Sequence, residues 1–317
     1  MDLDVLFVGT AGSVPSARRA LPATLVRRGG DRLLYDCGEG TQRQLLRSTG
    51  LIELQEIFLT HFHADHFLGL PGMLKTYGLR GREEPLTVYG PEGLESLFRR
   101  LRPVTGRLGF EVRLVELAPN AELVRDGYRV GAFEVDHGVH ALGYAVVEDD
   151  RPGRFDEGRA RSLGVEPGPD FGRLQRGATV AVPGGEVYPE QVVGSPRRGR
   201  KVVLTGDTAP CEIAGAAAWR ADLLVHEATF TEDDSARAHE TRHSTARAAA
   251  EVAAAAEVGL LALNHVSPRY GGRELLEEAR TAFEATVVPR DFDRVEIPFP
   301  ERGPPVHVRA ESRAARG

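Results

Sequence analysis

The chain has 317 residues, 41% of them hydrophobic and 27% charged, which is enough for a sizeable apolar core. No apolar run approaches the ~20 residues that a membrane span needs, and the N-terminus enters a strand-like run with no basic start, which argues against a signal peptide. Two cysteines, Cys37 and Cys211, are too few for a disulfide framework and indicate a reducing cytoplasm. The formal net charge of −6 argues mildly against a nucleic-acid-binding chain.

Strand-like and helix-like segments alternate along the chain. Strands are predicted at 3–10, 23–28, 32–38, 56–60, 86–90, 110–117, 128–136, 141–149, 201–207, 221–228, 260–267 and 293–300. Helices are predicted at 40–49, 67–79, 91–102, 244–259 and 273–283, with Pro91 in the first turn of the third and Gly259 ending the fourth. This order predicts one α/β domain over residues 1–317, built from two sheets covered by helices, with a disordered tail at about 308–317.

The stretch from about 150 to 200 departs from this pattern. Between Asp150 and Lys201 lie 16 Gly or Pro residues, ten Lys or Arg and seven Asp or Glu, so positive charge is concentrated there. The stretch is too long for an ordinary loop. It predicts an inserted, extended arm with one short helix near Glu157–Leu163 and a localised anion-binding surface.

A dense cluster of metal-ligating side chains follows the predicted strand at 56–60, in the run His61-Phe62-His63-Ala64-Asp65-His66. Because residues two apart in an extended segment point the same way, His61 and His63 can hold one ion together. Asp65 and His66 lie where the chain turns into a helix and can face a second ion. Imidazole and carboxylate suit zinc, and such a cluster after an apolar strand rarely serves a core.

Four ligands leave two ions under-coordinated, and three later strand ends supply candidates. His137, Asp207 and His265 would each be an ordinary strand-end or turn residue if taken alone. Together with the cluster they predict a dinuclear site in which Asp207 and a water bridge the ions. One ion would take His61, His63, His137 and Asp207, and the other Asp65, His66, Asp207 and His265.

These residues resemble a known family. HFHADH is the signature of the metallo-β-lactamase fold, and the chain is more specifically similar to ribonuclease Z, the family of endonucleases that mature tRNA 3′ ends. The segments GTAGSVPSARR, DCGEGTQRQL, FLTHFHADHFLGLPG, LTGDTAPC, HEATF, HSTA and NHVSPRY follow the family's order from about residue 4 to 300. The resemblance implies an αββα sandwich, two zinc ions per chain (with other divalent metals as alternatives) and precursor tRNA as substrate.

The resemblance also implies where tRNA binds. Leu163–Gly177 looks like the family's Gly-Pro-rich arm, which clamps the tRNA elbow and, in a homodimer, serves the partner's active site. This makes Arg173 and Arg176 candidate tRNA contacts, although a disordered surface loop fits the composition equally well. The family's N-terminal loop, implicated in recognising the tRNA 3′ end, keeps its Pro and Arg here, with Arg18 and Arg19 as candidates, but lacks the family's Lys and Asn.

The implied reaction hydrolyses a phosphodiester in RNA and leaves a tRNA 3′-hydroxyl and a trailer 5′-phosphate. Asp65 would orient the attacking water and accept its proton. His243, in HST, would give a proton to the leaving oxygen, while Glu227, in HEAT, would hold its tautomer and raise its pKa. Without the resemblance, His243 would be a helix-start residue beside a capping Ser244, and Glu227 a strand-end carboxylate.

Two other function classes stay open on the sequence. A metallohydrolase of a small phosphodiester, thioester or lactam would share the metal site, although a lactamase requires secretion and a thioesterase has little use for a basic arm. A non-catalytic RNA-binding member of the fold usually lacks ligands, whereas all seven predicted ligands are present here.

Overall fold

The computed structural model describes residues 1–311. The chain forms two compact units, one from Met1–Val147 together with the chain from Arg200 onward, and one from Glu148–Gly199. No helix within the described range is long and apolar enough to cross a bilayer.

The first unit contains an eight-stranded sheet. Its strands are β1 (Leu3–Gly9), β2 (Ala23–Arg28), β3 (Asp31–Tyr35), β4 (Glu56–Phe58), β5 (Leu86–Gly90), β6 (Val112–Glu116), β16 (Arg294–Glu296) and β17 (Val306–Val308). They lie in the order β17-β16-β1-β2-β3-β4-β5-β6, and the pairs from β3 to β6 are parallel. The predicted disordered tail is wrong for Val308, which ends β17; residues 312–317 lie outside the described residues.

A second sheet of the same unit has seven strands. They are β7 (Glu122–Arg125), β8 (Tyr128–Glu134), β9 (Leu142–Glu148), β12 (Lys201–Leu204), β13 (Leu223–Glu227), β14 (Leu260–Asn264) and β15 (Thr286–Val287). The order is β15-β14-β13-β12-β9-β8-β7, with parallel pairing from β12 to β15. Because carboxyl ends of parallel strands meet at one edge, both sheets present several strand ends together.

Helices cover the outer faces of both sheets. On the first sheet pack α1 (Thr41–Ser48), α2 (Ala64–Phe67), α3 (Gly69–Leu79) and α4 (Leu94–Thr105), and on the second α7 (Glu212–Ala218), α9 (Ala246–Ala255) and α10 (Gly272–Arg280). The chain also forms α8 (Ser235–Thr241) and short 3-10 turns at Pro189–Gln191, Glu232–Asp234 and Pro300–Arg302. The inner faces share one apolar core, where the rings of Phe58 and Tyr144 meet at 5.3 Å. This layering confirms the predicted αββα sandwich.

The ends of two helices, α4 and α9, differ from the predictions. Helix α4 begins after Gly93, so Pro91 lies outside it. Helix α9 begins at Ala246, where the Thr245 side chain accepts a hydrogen bond from the backbone N–H of Ala248 (3.0 Å) and caps the helix in place of Ser244. It ends at Ala255, before Gly259. A side chain at Gly259 would place its Cβ 2.8 Å from the Asp222 carbonyl oxygen, so close backbone approach explains that glycine.

The second unit is more structured than the predicted extended arm. The expected short helix is present as α5 (Glu157–Ser162), but α6 (Pro169–Gln175) and a hairpin of β10 (Val180–Val182) and β11 (Gly185–Val187) were not predicted. Its own small apolar core contains Ala160, Val165, Leu174, Val180, Val187 and Val192. The many Gly and Pro residues mark turns between these short elements, and they obscured the elements' periodicity.

The charge predicted for the arm also changes once its boundaries are known. Within Glu148–Gly199 lie eight Arg and nine Asp or Glu residues, because Arg200 and Lys201 belong to the first unit while Glu148 and Asp149 belong to the second. Some of its cations are paired internally, such as Arg173 with Asp170 at 3.2 Å. The net positive charge counted over Asp150–Lys201 therefore does not belong to the second unit itself, which carries a net charge of −1 (eight Arg against nine acidic residues).

Candidate metal centre

The predicted ligands gather at strand ends from both sheets. His61 and His63 follow β4, and Asp65 and His66 lie in α2 directly after them. From the second sheet, His137 follows β8, Asp207 follows β12, and His265 follows β14. The structure thus brings together all seven residues, although they span more than 200 positions of the chain.

Asp207 lies at the centre of the cluster. Its Oδ2 is 3.1 Å from His265 Nε2, 3.3 Å from His66 Nε2 and 3.9 Å from His137 Nε2. His137 Nε2 is in turn 3.1 Å from His63 Nδ1. Ligand atoms converge within 4.8 Å in five groups, three of which contain only predicted ligands: His61 with His63 and His137, His61 with His66 and Asp207, and Asp65 with His66 and His265. The other two bring His243 together with His137 and Asp207, and with Glu227 and His265. One carboxylate within reach of several imidazoles can bridge a pair of cations.

The electrostatics of the cluster fit cations. His61 Nε2 and Asp207 Oδ1 are buried and have no hydrogen-bond partner within residues 1–311. Burial raises the pKa of Asp207, but the imidazoles of His265 and His66 more than offset this and hold it well below its usual range. Burial likewise lowers the pKa of His61 well below its ordinary value, leaving the ring neutral with a lone pair. Buried, unpartnered lone pairs around an ionised carboxylate suit a bound divalent metal.

A second layer of groups orients the imidazoles. Asp36 Oδ2 accepts from His66 Nδ1 at 2.7 Å, and Thr60 Oγ1 is 3.0 Å from His61 Nδ1. Across the site, Thr229 Oγ1 is 2.8 Å from His265 Nδ1. The Arg242 carbonyl accepts from His137 Nδ1 at 3.1 Å. Each contact occupies Nδ1, so Nε2 is the atom left to face a metal.

Sequence reasoning missed this second layer. Asp36 lies in the DCGEG segment, directly after β3, and is buried with its backbone at φ +59°. Besides His66 it accepts from Thr60 N (2.8 Å) and Thr60 Oγ1 (3.0 Å). The sequence did contain a signal for Asp36. It is a polar residue that directly follows β3, and because β3 pairs in parallel with β4, the carboxyl ends of the two strands are neighbours.

The loop after β1 approaches the other side of the site. A Cβ at Gly12 would lie 2.5 Å from His265 Nδ1, so only glycine lets the backbone come this close. His265 itself has φ +55°, an uncommon conformation that is held here by its surroundings. The backbone N–H of Ser13 donates to Asp65 Oδ2 at 2.9 Å. The loop therefore fixes one histidine and one carboxylate of the cluster.

Glu227 and His243 form a pair at the edge of the cluster. Glu227 Oε1 accepts from Thr208 N (2.7 Å) and from His243 Nδ1 (2.8 Å), while Oε2 accepts from Thr229 Oγ1 (2.6 Å) and Ser244 N (3.2 Å). Burial raises the pKa of Glu227, but the neighbouring His243 lowers it more, so the carboxyl stays ionised. Burial lowers the pKa of His243, but the Glu227 carboxylate outweighs this and raises it to about 9. The His243 ring lies 4.8 Å from the ring of His137.

Comparison with known proteins decides the family. The sequence profile of the metallo-beta-lactamase superfamily matches residues 21–265. Ribonuclease Z of Methanosarcina mazei is 45% identical over 302 residues, which cover 94% of this chain and 99% of that protein. Ribonuclease Z of Natronomonas pharaonis is 47% identical over 95% of this chain and its own full length. The chain belongs to the ribonuclease Z family. The crystal structure of the short form of human tRNase Z aligns with a TM-score of 0.68 at 28% identity, over 93% of this chain and 99% of that one.

The four arginines predicted to contact tRNA lie in different settings in this ribonuclease Z family member. Arg18 is exposed on the loop after β1. Arg19 instead donates from Nη1 to Thr10 Oγ1 and to the Pro289 carbonyl, both at 2.7 Å, and thereby braces that loop. In the second unit, exposed Arg173 and Arg176 lie at the end of α6. The structure thus gives Arg19 a structural role and leaves Arg18 as the better candidate in its loop.

Proposed function

We propose that this chain is a zinc-dependent endoribonuclease that removes the 3′ trailer from precursor tRNA, leaving a tRNA 3′-hydroxyl and a trailer 5′-phosphate. The observation that carries the proposal is the convergence of all seven predicted ligands beside the His243–Glu227 pair, in a chain that matches ribonuclease Z over its length. A cluster this complete also distinguishes the chain from the non-catalytic alternative.

We propose the division of ligands between two ions that the sequence predicted, which the groups His61–His63–His137 and Asp65–His66–His265 support. One zinc would be held by His61, His63, His137 and Asp207, and a second by Asp65, His66, Asp207 and His265. When bound, two such cations acidify water and neutralise charge that develops on a phosphate. The chain's own contribution is to fix the imidazole tautomers through Asp36, Thr60 and Thr229.

Asp65 is the proposed proton acceptor. Burial raises its pKa, but hydrogen bonding to His265 and the charge of His66 lower it overall to well below its usual range, so it is ionised. Its Oδ2 is already held by Ser13 N, which fixes the direction in which the carboxylate faces. A carboxylate fixed within the cluster can orient a water molecule and take its proton at the remaining oxygen.

His243 is the proposed proton donor. Its Nδ1–H is engaged by Glu227, and with a pKa of about 9 the ring carries a second proton, on Nε2, at neutral pH. The side chain retains 13% exposure, whereas that of Glu227 retains 1%, so the histidine is the member of the pair that substrate can reach. Donation from Nε2 to the leaving 3′ oxygen completes the cleavage.

The second unit is proposed as the tRNA-binding arm of a single-domain hydrolase, with Arg173 and Arg176 as its contacts and Arg18 as a contact near the cleavage site. Following the family resemblance, we propose that the chain works as a homodimer in the cytoplasm, in which the arm of one subunit serves its partner. The two cysteines are both free thiols, which suits a reducing compartment. Light scattering on the purified chain would test the dimer.

The decisive experiment incubates the purified chain with a 3′-extended precursor tRNA, with and without a chelator. We expect cleavage only without chelator, a ligatable 3′-hydroxyl on the tRNA, a 5′-phosphate on the trailer, and about two zinc ions per chain by elemental analysis. Asp65→Ala, which removes a ligand and a base together, serves as the inactive control. Hydrolysis of a small phosphodiester with no cleavage of precursor tRNA would favour a small-molecule hydrolase instead.

A further inference from the structure

The helices that cover the two sheets differ sharply in charge. Those packed on the first sheet, α1 to α4, carry six Lys or Arg residues and two acidic residues, Asp65 and Glu95. Those packed on the second sheet, α7, α9 and α10, carry three Arg and five Glu residues. In a chain of net charge −6, this places a net charge of +4 on one helical layer and −2 on the other.

Three of these cations, Lys75, Arg99 and Arg102, form a strip together with Arg107, which follows α4 in the chain. All four are exposed, and none forms an ion pair with a side chain in the described part of the chain. Arg99 and Arg102 are three apart on α4 and so share a face. The Gly106 N–H donates to the Arg102 carbonyl at 2.9 Å, and Lys75 Nζ lies 3.7 Å from the Cβ position at Gly106. We call these four residues the basic strip.

The basic strip is tied to the metal centre through α4. At the start of this helix, the Cβ position of Gly93 lies 3.6 Å from the Phe62 ring, between His61 and His63. One turn later, the Phe98 ring lies 6.5 Å from the ring of Phe67, which follows His66. At a rise of 1.5 Å per residue, Arg99 and Arg102 lie about 9 and 14 Å along α4 from Gly93. In a stacked nucleic-acid strand, with about 3.4 Å between successive phosphates, these distances correspond to roughly three and four nucleotides.

We propose that the basic strip binds the phosphate backbone of the RNA substrate, as a surface of the first unit separate from the arm. This inference rests on the proposed function. Clustered cations without carboxylate partners repel one another, and a polyanion compensates that repulsion. The arm, with nine acidic residues against eight Arg, supplies individual arginine contacts but no net positive charge, so the net charge complementary to RNA lies on this helical layer.

The test compares two triple variants of the full chain with the same change in net charge. The first is Lys75→Gln/Arg99→Gln/Arg102→Gln. The control, Arg247→Gln/Arg273→Gln/Arg294→Gln, removes three exposed cations that each pair with a nearby glutamate, and surface pairs of this kind contribute little to stability. Each protein is assayed for cleavage of precursor tRNA and of bis(p-nitrophenyl) phosphate at 50 and 200 mM salt.

For the strip variant we expect a higher KM for precursor tRNA, an unchanged kcat and unchanged hydrolysis of the small phosphodiester. In the wild type, kcat/KM for precursor tRNA should fall when salt is raised from 50 to 200 mM. Because the variant lacks three phosphate contacts, its kcat/KM should fall by a factor about 20- to 40-fold smaller than that of the wild type. The control should behave as the wild type. Arg99→Lys/Arg102→Lys should also do so, because lysine keeps the charge that a phosphate meets.

Three outcomes would overturn the inference. The first is equal KM values and salt dependence in the strip variant and the wild type. The second is an equal change in the control, which would make the effect one of net charge alone. The third is a change in oligomeric state of the strip variant, which would make the strip a protein interface. A wild-type chain that cleaves the small phosphodiester but no precursor tRNA would instead overturn the proposed function, and this inference with it.

Discussion

Asp36 lies directly behind His66, and its replacement by asparagine tests how the candidate metal centre holds its imidazoles. In the native structure Asp36 Oδ1 accepts from the Thr60 N–H at 2.8 Å, and Oδ2 accepts from His66 Nδ1 at 2.7 Å. Asparagine has one acceptor oxygen and one NH₂ group, so it cannot satisfy both donors. The substitution keeps the shape of the side chain, removes its negative charge, and also alters the bonds that Thr60 Oγ1 donates to the two carboxylate oxygens (3.0 Å each).

Two arrangements are open to the variant, and both are costly. If the amide oxygen stays on Thr60 N–H, the NH₂ group faces His66 Nδ1, which must then accept, and the proton moves to Nε2, the atom that should bind metal. Loss of an outer partner of a ligating histidine typically lowers metal affinity 10- to 100-fold, or about 1.4–2.7 kcal/mol. If the amide flips, the buried Thr60 N–H loses its acceptor, which costs about 1–3 kcal/mol of folding stability.

The assay therefore needs two readouts, zinc affinity by competition with a chromogenic chelator and urea unfolding of the metal-free protein. We expect Asp36→Asn to lower the zinc affinity by at least tenfold or the free energy of unfolding by at least about 1 kcal/mol. The control is Glu111→Gln, where Glu111 pairs with Arg113 at 2.8 Å on the surface, and an exposed pair of this kind contributes little to stability and nothing to zinc affinity. Native zinc affinity together with native stability in Asp36→Asn would refute the tautomer argument.

Three further predictions follow from the same geometry. His243→Ala should lower kcat by roughly 10²–10⁴-fold with zinc content intact, whereas loss of zinc would make it a ligand and not the proton donor. Deletion of Pro152–Pro196 should weaken cleavage of precursor tRNA and leave hydrolysis of a small phosphodiester unchanged; an equal loss on both substrates would mean that the segment supports the fold. Gly12→Ala should lower zinc affinity because its Cβ would lie 2.5 Å from His265 Nδ1, whereas Gly131→Ala, with open space around it, should not; equal affinities in both variants would contradict the close approach.

The chain ends left by deleting Pro152–Pro196 can be joined without strain. Arg151 and Arg197 exchange both backbone hydrogen bonds, each at 2.8 Å, so their Cα atoms are about 5.5 Å apart, the usual spacing of such a pair. A linker of one or two glycines spans that gap. The excised residues include the apolar core of the second unit, so no part of that core is left exposed.

The sequence by itself determined the layering of the sandwich and the set of candidate ligands. Alternating strands and helices have only a few stable packings, and the chain adopts one of them. The ligand prediction needed no distances, because parallel strands bring their carboxyl ends to one edge wherever they lie in the chain. His137, Asp207 and His265, each ordinary when taken alone, became informative only in the presence of the cluster at His61.

The tertiary structure alone decided which groups stand behind those ligands and how charge is distributed. Asp36 contacts His66, and Thr229 contacts His265, although the residues of each pair are about 30 or more positions apart in the chain. Periodicity predicts which face of an element a residue occupies, but it does not predict which side chain from another segment packs against it. The charge of the inserted unit depended on where the fold places its boundaries. The basic layer became visible only when helices separated in sequence were packed on one sheet, because surface charge is a property of neighbours in space.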